Sequence, residues 1–200
     1  IASLAEQNTF TVTTGHQLNI FTGPLYFIFK IVSTIKLCKE LKEKYPTYNF
    51  VPIYWMATED HDFAEINHTE LQGEIIKWDI PAQAATGRME TISMARTVKK
   101  YKKLLGLSHN SDKLAKLVEE AYLNHTNLAD ATRYLVNGIF GKYGLVVLDA
   151  DDSSLKRIFS PYIKQDILEQ NSFREIVKTT QALEKEGFET QVHAREINFF

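Results

Sequence analysis

Four consecutive residues, Glu59, Asp60, His61 and Asp62, carry the densest chemistry in the sequence. They follow directly on an apolar run, NFVPIYWMA at positions 49–57. Adjacent carboxylates raise one another's proton affinity, and they can orient or ionise a histidine lying between them. A histidine held in this way is a general base toward an amine or a hydroxyl, so these four form the candidate catalytic set. Glu59, His61, Asp62 and His68 also offer oxygen and nitrogen donors to a metal. The helical HExxH spacing is missing, however, and neighbours on a strand point to opposite faces, so no protein-held metal is expected. A solvated acidic loop with a capping aspartate is the plainer alternative.

A second cluster is Thr13-Thr14-Gly15-His16-Gln17, followed by Thr22 and Gly23. Glycine permits a tight turn and a close backbone approach, and the amino end of a following helix offers unpaired donors suited to phosphate. His16 is a donor to phosphate or carboxylate there, and Thr14 or Thr22 adds a hydroxyl. Neither GxGxxG nor GxxxxGK[ST] is present. A strand-to-helix turn with purely geometric glycines remains the alternative. In a third cluster, Asp149 with Asp151 and Asp152, Asp149 suits a ribose hydroxyl or a magnesium-bound water, and a solvated turn explains it equally well. The candidate cofactor-binding residues are therefore Thr14, Gly15, His16, Gln17, Thr22, Gly23 and Asp149. Arg195, on one strand face with His193, suits a carboxylate or phosphate or a structural ion pair. Cys38, Trp55 and Trp78 read as core residues, and His109 and His125 as surface ones.

The elements that must position these residues follow from periodicity. TFTVTT at 9–14 alternates as a strand and stops at Gly15. Pro24 opens a long helix whose apolar positions Leu25, Ile28, Ile31, Val32, Ile35 and Cys38 recur at helical spacing until Tyr45-Pro46. The run at 49–57 suits a central strand buried on both faces. Strand, helix, strand at this spacing is a right-handed βαβ unit. A short strand is expected at 75–80, a loop at 81–92, and helices at 94–105, 112–123 and 127–140, the last two capped by Ser111 and Thr126. A second buried strand covers 143–148, further helices start at Ser160-Pro161 and at the Ser172–Glu175 capping box, and a strand closes the chain at 191–200. The expected fold is α/β, a Rossmann-like parallel sheet with helices on both faces and a mostly helical insertion. Its parts are 1–92 as the first part of the core, 93–141 as the helical segment and 142–200 as the continuation. In such sheets ligands bind beyond the carboxyl ends of the strands, where all three polar clusters fall.

Composition bounds the rest. The chain has 200 residues, 44% of them hydrophobic, and a formal net charge of −2, which excludes disorder and argues against wholesale attraction to nucleic acid or membrane surfaces. One cysteine excludes an internal disulfide framework. No apolar run reaches the length of a membrane span, and no signal peptide opens the chain, so a cytoplasmic location is expected. The start at Ile1 and the apolar end at Phe199 and Phe200 lead us to expect part of a longer protein.

The segments TGHQLNIFTGPLYFIFKIVSTIKLCKEL (14–41) and VPIYWMATEDHDFAEINH (51–68), with the later GLVVLDADD and QVHAREINFF, resemble the cysteine-adding enzyme family of bacillithiol biosynthesis, BshC. His16 stands where a glutamine is usual in that motif. The resemblance implies a Rossmann-type core related to class I aminoacyl-tRNA synthetases, and a C-terminal coiled coil that dimerises the full-length protein and lies outside this chain. It implies a carbon–nitrogen ligase joining the carboxyl of cysteine to the amine of glucosaminyl malate. ATP or another nucleotide, with Mg, would activate the carboxyl and sit at the TGHQ turn. A non-catalytic module binding a nucleotide or sugar phosphate is the rival expectation.

Overall fold

The computed structural model describes residues 1–81 and 84–197. It divides into two compact units, Ile1–Asp151 and Asp152–Phe200, with the helical stretch after residue 93 inside the first. The first unit opens with strand β1 (Thr9–His16), helix α1 (Leu25–Lys44) and strand β2 (Asn49–Met56). β1 and β2 pair in parallel, which is the expected βαβ unit. A short helix α2 (Phe63–Ile66) leads to a hairpin of β3 (His68–Leu71) and β4 (Glu74–Lys77), then to helices α3 (Ala95–Leu104), α4 (Ser111–Leu123) and α5 (Leu128–Phe140). Strand β5 (Val146–Asp149) closes the unit, parallel to β2, and the sheet order is β1-β2-β5.

The α/β, Rossmann-like reading holds. Asn49 N–H donates to Asn8 O and Ala57 N–H to His16 O, so the odd-numbered residues of β2 face β1. Pro52 therefore turns its missing donor toward β5, whose pairing begins only at Ile53. Tyr54 and Met56, fully buried, share one sheet face with Val147 and pack in a single core with Phe27, Ile31 and Ile35 of α1 and Leu135, Val136 and Phe140 of α5. The opposite face carries Thr11, Thr13, Gly15 and Trp55, all exposed.

The local elements depart from expectation in instructive ways. The buried stripe of α1 is Phe27, Ile31, Ile35 and Cys38, whereas Leu25 and Val32, expected to be apolar contacts, are exposed. At its carboxyl end Lys42 donates to Pro46 O and Tyr48 O, satisfying carbonyls where a cation is favoured. The strand expected at 75–80 is the shorter β4, and its partner β3 lies in a segment too polar to read as a strand. Gln72 and Gly73 both take left-handed backbone, the pair of conformations a two-residue hairpin turn demands. The cap of α5 is Asn127, not Thr126; its side chain accepts from Asp130 N–H. Ser111 does not cap α4 but donates back to Leu105 O. Trp78 is buried as expected, but Trp55 is 43% exposed and so is not a core residue. His125 is half-buried and uses Nδ1 against Ala121 O at 3.0 Å.

The second unit holds α6 (Ser153–Glu169) and α7 (Asn171–Lys185). Asp152 caps α6 by accepting from Ser154 N–H and Leu155 N–H, so Pro161 lies inside a helix it was expected to start. Gln170, with φ 52°, turns the chain into α7 in place of a Ser172 capping box. Residues 191–197 are not a strand, and the remainder of that expected strand, 198–200, lies outside the described residues.

Between β1 and α1 the backbone is strained. Phe21, Thr22 and Gly23 take φ of 55°, 75° and 59° in succession, and only the last tolerates this freely. The helical stretch holds the strain: Phe21 N–H donates to the buried Tyr122 hydroxyl at 2.9 Å, and its ring stacks on Tyr101 with centroids 4.2 Å apart. Tyr122→Phe leaves that N–H unsatisfied. We expect it to lower unfolding free energy by about 1–3 kcal/mol in denaturant titrations of the full-length protein.

Candidate functional site

Because the three strands run parallel, their carboxyl ends lie on one edge. The register aligns His16 with Met56 and Met56 with Asp149 across the sheet, so the three polar clusters sit at the carboxyl ends of their strands. Two of the three tails are tied directly at one point. The Gln17 side-chain amide donates to Asp60 Oδ2 at 2.7 Å and to Glu65 Oε2 at 2.8 Å, so one amide bridges two carboxylates. Asn19 donates to Glu65 O, fastening the same loop to α2. Asp62 N–H donates to Asp60 Oδ1, and this bond is the largest influence holding the Asp60 carboxyl below its ordinary range, with Gln17 adding to it. Asp60 is thus a persistent anion, suited to a cation or a hydrogen-bond donor and poorly suited to releasing a proton.

The other acidic residues divide by role. Asp62 accepts from Glu65 N–H and caps α2, the structural task its position allowed. Glu59 and His61 are exposed beside Asp60. Among the described residues no group of three or more His, Cys, Asp or Glu is placed to hold a metal ion.

The third tail is joined through Thr58. Its hydroxyl donates to Asp149 Oδ1 and accepts from Asp151 N–H, while Arg133 reaches Asp149 Oδ2 at 3.3 Å. Arg88 grips Asp151 through two parallel bonds, a geometry that fixes orientation as well as charge. These residues surround a polar cavity of about 260 Å³ lined by Thr58, Gly87, Arg88, Asn127, Asp149 and Asp151. Gly87 has no room for a side chain: a Cβ there would lie 2.6 Å from Thr58 Cβ and 2.9 Å from Thr58 O. Asp149, a candidate for ribose or magnesium, spends its oxygens on these internal partners.

The first cluster is split by the pleat. His16 is buried, its ring against Tyr26 and Phe27, and Nδ1 donates to Gln17 O at 3.1 Å. Burial lowers its pKa, with Lys30 acting in the same direction. Gln17 is left as the residue facing the acidic cluster. Gly15 is not a turn; it stays in β1 opposite Trp55, and Lys30 donates to its carbonyl. The turn belongs to Thr22 and Gly23, ahead of α1, whose amino end has no side-chain cap. Thr14 lines a groove between β1 and α1.

Sequence reasoning placed Gln17 and Asp60 together but missed Glu65, Arg88 and Arg133. For Glu65 a signal existed, since Asp62-x-x-Glu65 is a helix-start pattern that brings Glu65 back toward the cap. The two arginines carried no local signal, because their partners are 63 and 16 residues away.

Over residues 1–200 the sequence matches the family described as "Bacillithiol biosynthesis BshC, N-terminal Rossmann-like domain". It is similar to the protein named "Putative cysteine ligase BshC" from Flavobacterium psychrophilum, at 54% identity over 200 residues, covering 100% of this chain and 37% of the relative. The protein of the same name from Flavobacterium johnsoniae is 52% identical over the same shares. That from Bacillus cereus strain G9842 is 30% identical over 97% of this chain and 38% of its own length. The chain therefore spans a little over a third of these relatives.

Proposed function

The chain belongs to the BshC family as its N-terminal Rossmann-like domain, and from that premise we propose that the whole protein is a carbon–nitrogen ligase of bacillithiol biosynthesis. In this reading it joins the carboxyl group of cysteine to the amine of glucosaminyl malate, in the cytoplasm, as a homodimer. The observation that supports it most is the Gln17 amide held between Asp60 and Glu65 at the carboxyl edge of the sheet. Two carboxylates with a neutral bridge attract the protonated amine that an amide-forming enzyme must bind. Asp60 remains charged and holds the ammonium, while His61, exposed one residue on, is the base that takes its proton before attack.

Amide formation from a free carboxylate is uphill in water, so a nucleotide with Mg, when bound, would supply activation of the cysteine carboxyl. The amino end of α1, which has no side-chain cap, with Thr22 and Lys30, offers donors that fit its phosphates.

The reading is tested by incubating the full-length protein with cysteine, glucosaminyl malate and ATP and following the amide product by mass spectrometry. Product formation supports it. Absence of product in any mixture contradicts it, and nucleotide-dependent thermal stabilisation that survives His61→Ala would then identify a binding module.

A further inference from the structure

We infer that Tyr122 and Tyr101, on the helical stretch, are positioning residues of the substrate site, acting through Phe21 on the loop that carries Gln17. The inference rests on the ligase reading for what the site binds, and on geometry alone for how the loop is held.

Residues 17–23 join β1 to α1, and what they offer a ligand depends on the path they take. At the near end Gln17 reaches Asp60 and Glu65, and Asn19 reaches Glu65 O. Leu18 and Ile20 between them are fully buried. At the far end the partners belong to α3 and α4. Phe21 N–H donates to the Tyr122 hydroxyl, and the Phe21 ring stacks on Tyr101 with the two planes 16° apart. The Tyr122 ring meets the same side chain edge-on, with centroids 5.1 Å apart.

The backbone makes that far fastening decisive. Phe21 (φ 55°, ψ 30°) and Thr22 (φ 75°) are adjacent side-chain-bearing residues in the left-handed region. Such residues keep that conformation only where their surroundings impose it. The sequence of the loop does not impose it, since glycine comes only at position 23. What imposes it is the Tyr122 hydroxyl, which takes the amide, and the two aromatic rings, which bury the side chain.

A released Phe21 would relax toward right-handed or extended backbone, and a rotation there swings the chain on both sides. Behind it lie Asn19 and Gln17, seated on Asp60 and Glu65. Ahead of it lie Thr22 and the amino end of α1. One hydroxyl on α4 therefore sets how the proposed amine site and the proposed phosphate donors stand to each other. Both tyrosines work through Phe21, which makes their role one of placement and not of chemistry.

The test uses the full-length protein with Tyr122→Phe, at a temperature where circular dichroism shows it folded. Tyr134→Phe is the control: it removes a hydroxyl from the same helical stretch, one that donates to Glu120 at 2.8 Å, outside the Phe21 cluster. The first readout is the Gly23 amide, which donates to Ile20 O across the left-handed pair. Its hydrogen exchange without substrate should be about tenfold or more faster in Tyr122→Phe, and at the wild-type rate in Tyr134→Phe. The second readout is kinetic. KM for glucosaminyl malate should rise about tenfold in Tyr122→Phe, whereas loss of stability alone lowers the active fraction and leaves KM unchanged. Tyr101→Leu, which removes the stacked ring and keeps the hydrogen bond, should move both readouts in the same direction. Unchanged Gly23 exchange in Tyr122→Phe would overturn the inference, and so would a lower kcat at wild-type KM. If the wild-type protein forms no amide product, the ligase reading fails, and Gly23 exchange still decides whether the helical stretch holds the loop.

Discussion

Asp60→Asn in the full-length protein is expected to fold normally and to form amide product about a hundredfold more slowly or worse. The substitution is nearly isosteric, so packing is preserved, but two things change at once. The site loses the charge that holds an ammonium, and the single carbonyl oxygen of the new amide can accept from Gln17 or from the Asp62 N–H but not from both. Glu65 remains and keeps one of the two bonds, so the loop should stay closed. Circular dichroism and the thermal midpoint verify the fold; product formation reads the effect. Wild-type turnover in this variant would remove Asp60 from the site.

The same carboxylate sets a pH dependence. Its folded pKa lies below the ordinary 3.8, so the Gln17–Asp60 link contributes stability at all pH above that value and loses it as pH falls through the folded value. Acid unfolding of Asp60→Asn should therefore be shallower than wild type across that window, with no difference in slope near neutrality.

Gly23→Ala carries the largest expected cost in stability. Gly23 has φ 59° and ψ −132°, a region closed to L side chains. A Cβ there would stand 2.4 Å from Asn19 Cβ and 2.9 Å from Asn19 Cγ. The loop must move, and with it the amino end of α1 and the Asn19 contact to Glu65. Conformational strain plus overpacking gives about 2–5 kcal/mol, measured as a shift in denaturant midpoint. Gly15→Ala is the contrasting case. Its nearest neighbours to a new Cβ are Trp55 atoms at 3.8–4.0 Å, ordinary contact, so unfolding free energy should change by about 0.5 kcal/mol or less.

That contrast shows where reading by residue type runs out. Gly15 and Gly23 look alike in TGHQLNIFTG, and both suit a phosphate-binding turn. Which one turns depends on the register of β1 with β2, and that in turn on how far the Thr9–His16 pairing extends. The βαβ unit was legible because its strands are apolar runs and its helix is bounded by Pro24 and Pro46. From a parallel sheet it follows that the polar tails share an edge, which is why Gln17 and Asp60 could be placed together. The β3–β4 hairpin was not legible, since His68–Leu71 is polar and its turn uses Gln72 where asparagine is the usual signal. Trp55 misled for another reason: it sits on a buried strand's open face, and nothing in its neighbours distinguishes that face from the one carrying Tyr54.

The tie between the tails of β1 and β2 is the claim on which the chemistry stands. A structure of the full-length protein with glucosaminyl malate tests it most directly. The sugar amine is expected within hydrogen-bonding distance of the Asp60 and Glu65 carboxylates, with Gln17 alongside. An amine bound elsewhere, with Gln17 still closing Asp60 and Glu65 against each other, would contradict it.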